Sequence, residues 1–163
     1  MTQGKIYSLS EATAKYIEQS QEPLLIRGYF SNKSHPLLEP LIPQLEDLLK
    51  EYQVVGGDKV RIEFVDPHKD QAIEEEAAEK YGIRPVPFRM ASRHQAGIVN
   101  SYFDILIAYG DQYENLSFDD LIEVKSRPNG EPEVLLKNPE YAITRSIKKV
   151  INSYQTGGNV FAD

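Results

Sequence analysis

Leu41, Leu45, Leu48, Leu49 and Tyr52 recur at three- and four-residue steps through "LEPLIPQLEDLLKEY", the period of a helix with one buried face. Pro40 and Pro43 belong in its first turn, where a missing N–H costs little. The flanking stretches change period. "PLLIRGYFS" (Pro23 to Ser31) is apolar and too short for a helix, and "KVRIEFVDP" sets Val60, Ile62 and Phe64 against Lys59, Arg61 and Glu63. Both predict strands. Ahead of them, Ser8 and Glu11 have capping-box spacing, and Leu9, Ala12, Tyr16 and Ile17 mark the buried face of a first helix. "DQAIEEEAAEKYG" predicts a third helix that Gly82 closes in a left-handed turn.

From Phe88 onward the pattern becomes β. "FRMASR" predicts a strand, "HQAGIVN" a loop or a continuing hairpin, and "SYFDILIAYG" a buried strand. "QYENLSF" pairs back on it across Gly110-Asp111. "DDLIEVKSRPNGEPEVLL" predicts a polar excursion with one short helix. Asn138-Pro139 then opens a last helix, with Ile143, Ile147, Val150, Ile151 and Tyr154 as its buried stripe. The order α-β-α-β-α-β-β-α predicts an α/β fold with a mixed sheet of about four to five strands flanked by helices. A single domain is expected over residues 5–155, with 156–163 an unstructured tail.

The chain has 163 residues and a net charge of −7, which repels phosphate backbones, so no nucleic-acid partner is expected. Its densest basic group is Arg145, Lys148 and Lys149, at the spacing of a solvated helix face. With no cysteine, disulfides, thiolate metal sites and thiol nucleophiles are excluded. No stretch reaches the roughly 18 apolar residues of a membrane span, and no apolar signal-peptide core opens the chain. His35, His68 and His94 show no paired zinc spacing. Asp66, His68 and Asp70 offer metal ligands in one loop, but a strand end with solvated turn residues accounts for them better, Asp66-Pro67 belonging to a structural motif. No metal and no cofactor are expected.

In its order of elements and in "YGIRPVPF" the chain resembles the thioredoxin fold. That resemblance implies an active loop after the first strand, a long helix, and a cis-proline leading into the third strand. Pro87, in Val86-Pro87-Phe88, stands where that proline belongs. The place of the Cys-x-x-Cys is taken by Ser31, Asn32, Lys33, Ser34 and His35, followed by Pro36. Serine cannot perform disulfide exchange, so the scaffold is expected to be redox-inactive. The loop with Pro87 is the expected binding face, for extended peptide or protein.

A closer resemblance rests on "YSLSEATAKYI", "PLLIRGYFS", "RIEFVDPHKD", "EEAAEKYGIRPV", "YFDILIAYGD" and "PEYAITRSIKKV", in that order from Tyr7 to Val150. Together they are similar to the start of the extracytoplasmic region of GldG-like auxiliary components of gliding-motility-type ABC transport systems. The resemblance implies a membrane helix before "YSLS" and further chain with another membrane helix after "TRSI". It implies a non-catalytic domain at the periplasmic face of the bacterial inner membrane, soluble as excised here. Its implied partners are the transporter's permease and ATP-binding subunits. Two other readings compete. One is a free-standing, redox-inactive peptide-binding module working beside Pro87. The other is a small hydrolase with Ser31 or Ser34 as nucleophile and His35 as base, for which no orienting acid is evident.

Overall fold

The computed structural model describes residues 11–32, 35–91, 96–128, 130 and 132–162. The elements are α1 (Glu11–Glu18), β1 (Leu24–Phe30), α2 (Leu41–Gly56), β2 (Val60–Val65), α3 (Gln71–Lys80), β3 (Val86–Ala91), β4 (Ala96–Ser101) and β5 (Phe103–Tyr109). After them come β6 (Gln112–Leu116), α4 (Phe118–Leu121), β7 (Ile122–Lys125), β8 (Glu133–Leu136) and α5 (Pro139–Ala162).

The expected α/β architecture is present. A four-stranded mixed sheet runs β2-β1-β5-β6, with β1 parallel to β2 and antiparallel to β5. On β1 the side chains of Leu24, Ile26 and Phe30 enter the main core, as do Phe103, Ile105, Ile107 and Tyr109 of β5. The stripes of α2 and α5, with Ile17 of α1, cover that face. The opposite face is closed by α3, over a smaller cluster of Tyr29, Ala77, Ile83, Tyr102 and Leu106. Period-two alternation of apolar side chains thus feeds two cores from the same strands.

Local chemistry places the ends. Asp70 caps α3 by accepting the N–H groups of Ala72 and Ile73. Gly82 has φ 68°, and beyond it the Ile83 N–H returns to the Ala77 carbonyl at 2.7 Å. On α5 the expected stripe holds at Ile143, Ile147, Val150 and Ile151, while Tyr154 is only partly covered and meets Tyr109 edge-to-face at 5.2 Å.

Several expectations are corrected. The buried face of α1 is Thr13 and Ile17, with Ala12 exposed; Ser8 and Leu9 lie outside the described residues. The third strand beside β1 is β5, not the strand that follows Pro87. β3 instead pairs with β4 in a separate two-stranded ribbon, inserted between α3 and β5. No peptide bond among the described residues is cis, so Val86–Pro87 is trans. Proline is poorly suited to a strand with neighbours on both sides, because it lacks the N–H for one ladder bond. A ribbon strand has one neighbour and tolerates it. The excursion after β6 is α4 followed by a β7–β8 hairpin. α5 continues to Ala162, through the stretch expected to be an unstructured tail, because extending a formed helix costs far less than starting one.

Candidate functional site

The loop that follows β1 is tied down on both sides. Ser31 is 3% exposed; its Oγ accepts the Tyr102 N–H at 2.8 Å, and its own N–H reaches the Tyr102 carbonyl at 3.3 Å. Ser31 thus extends the β1–β5 pairing by one residue and adds a side-chain acceptor to it. Asn32 is exposed, but its backbone N–H is held by Asp66 Oδ2 at 2.9 Å. Asp66 Oδ1 accepts the His68 N–H at 3.0 Å, so one carboxylate ties the end of β1 to the turn after β2. The His68 ring stands edge-to-face on Tyr102 at 4.9 Å, with Nε2 3.2 Å from the Asn100 carbonyl oxygen.

These bonds assign the groups that suggested a metal. Asp66 serves two backbone N–H groups and Asp70 caps α3, so both carboxylates have structural work. Among the described residues no group of three or more His, Asp or Glu could hold a metal ion. His94 lies outside the described residues.

Lys33 and Ser34 also lie outside the described residues. His35 is partly buried, and its Nδ1 accepts the Leu37 N–H at 3.1 Å, which requires the tautomer protonated on Nε2. Its ring lies 6.3 Å from Phe88, the residue after Pro87. The loop and β3 therefore do meet, through His35 and Phe88, although Pro87 does not occupy the position beside β1. That position belongs to Tyr102. Pro87 itself is exposed on the ribbon, as Leu37 is on the loop side.

Two features are not read from the sequence motifs. One is a run of aromatic rings under the loop: Phe30 on Phe103 at 5.5 Å, Phe103 on Phe118 at 6.2 Å, Phe118 on Phe88 at 5.0 Å. Each contact is edge-to-face, the favourable quadrupole arrangement, and the run anchors the ribbon to the main core. The other is Asp104, 3% exposed near the start of β5. Burial pushes its carboxyl up from the ordinary 3.8 to about 7, helped by the charge of Asp120 and opposed by hydrogen bonds from Asn115 and the Phe103 backbone. The signal available in the sequence is one acid inside the apolar run "YFDILIAY".

A family profile described as a domain of unknown function (DUF7088) matches residues 3–108, well over half of the chain. No curated protein and no solved structure matches it. Among the described residues no helix is long and apolar enough to cross a membrane.

Proposed function

The chain belongs to the DUF7088 family, and from that premise we propose that it is a non-catalytic, extracytoplasmic domain of an ABC-transporter auxiliary protein, working by contact with protein or substrate. The observation that carries this reading is the state of the Ser31–His35 loop. Ser31 Oγ is buried and holds the Tyr102 N–H, while His35 Nδ1 holds the Leu37 N–H. Among its described residues the loop exposes Asn32, Pro36 and Leu37, with exposed Pro87 on the adjoining ribbon. Ser31, buried and already bonded, is thus poorly suited as a nucleophile, which must reach its substrate with a base in hydrogen-bond range, and the exposed described residues suit contact.

The ordered motifs from "YSLSEATAKYI" to "YFDILIAYGD" lie largely inside the matched residues 3–108, so the GldG-like resemblance and the family match concern the same stretch of chain. In this reading a separate ATP-binding subunit supplies energy, a permease carries substrate, and this domain sits on the periplasmic face. The test is co-purification of the full-length protein from native membranes, followed by mass spectrometry. Recovery of an ATP-binding subunit and a multispanning permease supports the proposal. Recovery of the protein alone, or with soluble partners only, overturns it and favours a peptide-binding module beside Pro87.

A further inference from the structure

The basic residues of α5 form more than a solvated face. Lys149 is paired with Glu114 at 3.2 Å and Lys148 lies over the Tyr16 ring at 5.9 Å, but Arg145 and Lys137 have no ion-pair partner among the described residues. Arg145 instead shares with Tyr141, which is 69% exposed, the lining of two adjoining grooves of about 320 and 220 Å³. The larger is lined from α5 and the β6–α4 corner, with Leu116 and Ala142 as apolar and Lys137 and Arg145 as basic lining; the lining of the smaller includes Lys148. The one carboxylate of the larger, Asp120, accepts the Ser117 N–H at 3.0 Å and hydroxyl at 3.2 Å. The result is a local cationic stripe, with a large exposed aromatic at its centre, on a chain of net charge −7.

We propose that this stripe docks a short acidic peptide segment of a partner protein, its carboxylates on Lys137, Arg145 and Lys148 and an apolar side chain against Tyr141. Length and charge select the occupant. Along α5 from Tyr141 to Lys148 the stripe spans roughly 10 Å at the helical rise of ~1.5 Å per residue, room for about three residues of extended chain at ~3.3 Å each, with Lys137 just ahead of the helix start. A nucleic acid or an anionic bilayer is large enough to feel the net negative charge of the whole molecule, whereas a short peptide within a Debye length, about 8 Å at physiological ionic strength, feels the stripe. Arginine and tyrosine are also each enriched where proteins bind proteins. This site does not depend on the transporter reading.

The experiment is fluorescence anisotropy with a labelled six-residue peptide of alternating glutamate and leucine, its lysine–leucine counterpart as control. The acidic peptide is expected to bind, more weakly as salt rises, with an affinity that drops about tenfold or more in Arg145→Glu and several-fold in Tyr141→Ala. Both side chains are exposed, and a thermal melt of each variant confirms the fold. Equal binding of the two peptides, or unchanged binding in Arg145→Glu, overturns the proposal. So does binding that millimolar inorganic phosphate abolishes and Tyr141→Ala leaves intact, which would mark a small-anion site. Tyr141-dependent binding to anionic vesicles with no binding of the peptide overturns it in favour of a membrane surface.

Discussion

Ser31 Oγ accepts the backbone N–H of Tyr102 at 2.8 Å, across 71 residues of chain and inside a buried corner. A hydroxyl at the end of the first strand thereby fixes where β5 begins. Ser31→Ala leaves that N–H buried without its acceptor, at a cost of about 1–3 kcal/mol. Urea unfolding of the variant should show a lower midpoint at unchanged slope. An unchanged midpoint would mean that water replaces the hydroxyl and that Ser31 is not a structural lock.

Asp66 performs a similar task with charge. It binds two backbone N–H groups, from Asn32 and His68, on two different segments. Asp66→Ala is expected to destabilise by about 2 kcal/mol and to speed hydrogen exchange at the Asn32 and His68 amides above all others. Exchange that rises evenly over the chain would contradict this local role.

Asp104 should make stability depend on pH. Its carboxyl titrates near 3.8 when unfolded and at about 7 when folded, so between those values the native state holds more protons. Stability from this group is therefore fully present below about pH 4 and is lost as pH rises to about 7, by a few kcal/mol. Asp104→Asn removes the charge without removing the shape. The variant should gain on the parent at pH 8 relative to pH 5, measured by denaturant unfolding at both. Equal differences at the two pH values would show that the carboxylate is already ionised at pH 5.

Gly110 turns β5 into β6 at φ 60°, and a Cβ there would stand 2.4 Å from Cε1 of Tyr154. Gly110→Ala combines backbone strain with that clash and should cost about 2 kcal/mol or more. In a Tyr154→Ala background the same change should cost only about 1 kcal/mol, the backbone part. A double-mutant cycle on melting temperature separates the two contributions, and an equal cost in both backgrounds would rule out the clash.

The sequence by itself determined whatever depends on neighbours a few residues apart. The stripe of α2, the alternation of β2, the left-handed Gly82 and the Asn138-Pro139 start of α5 are each written within one turn or one strand. Periodicity reports which side of an element is buried, and these elements bury the sides it marks. Periodicity does not report which element lies against that side. The third strand that the thioredoxin resemblance implies after Pro87 therefore had no support from the pattern as a neighbour of β1, and β5 occupies that place. Only tertiary structure decides it, since a strand's partner is chosen by the burial of both sheet faces at once, and Pro87 suits a ribbon with a single neighbour better than a sheet interior.

The same limit applies to the candidate site. Ser31, Asn32 and His35 were legible as a loop, but their roles depend on Tyr102, Asp66 and Phe88, all more than 30 residues away. Likewise an acid in an apolar strand becomes a group titrating near 7 only when the fold desolvates it, and three lysines and arginines become a groove only when β6 and α4 supply its far wall. Charge and polarity are local properties of a side chain, but its desolvation and its distance to a partner belong to the folded chain.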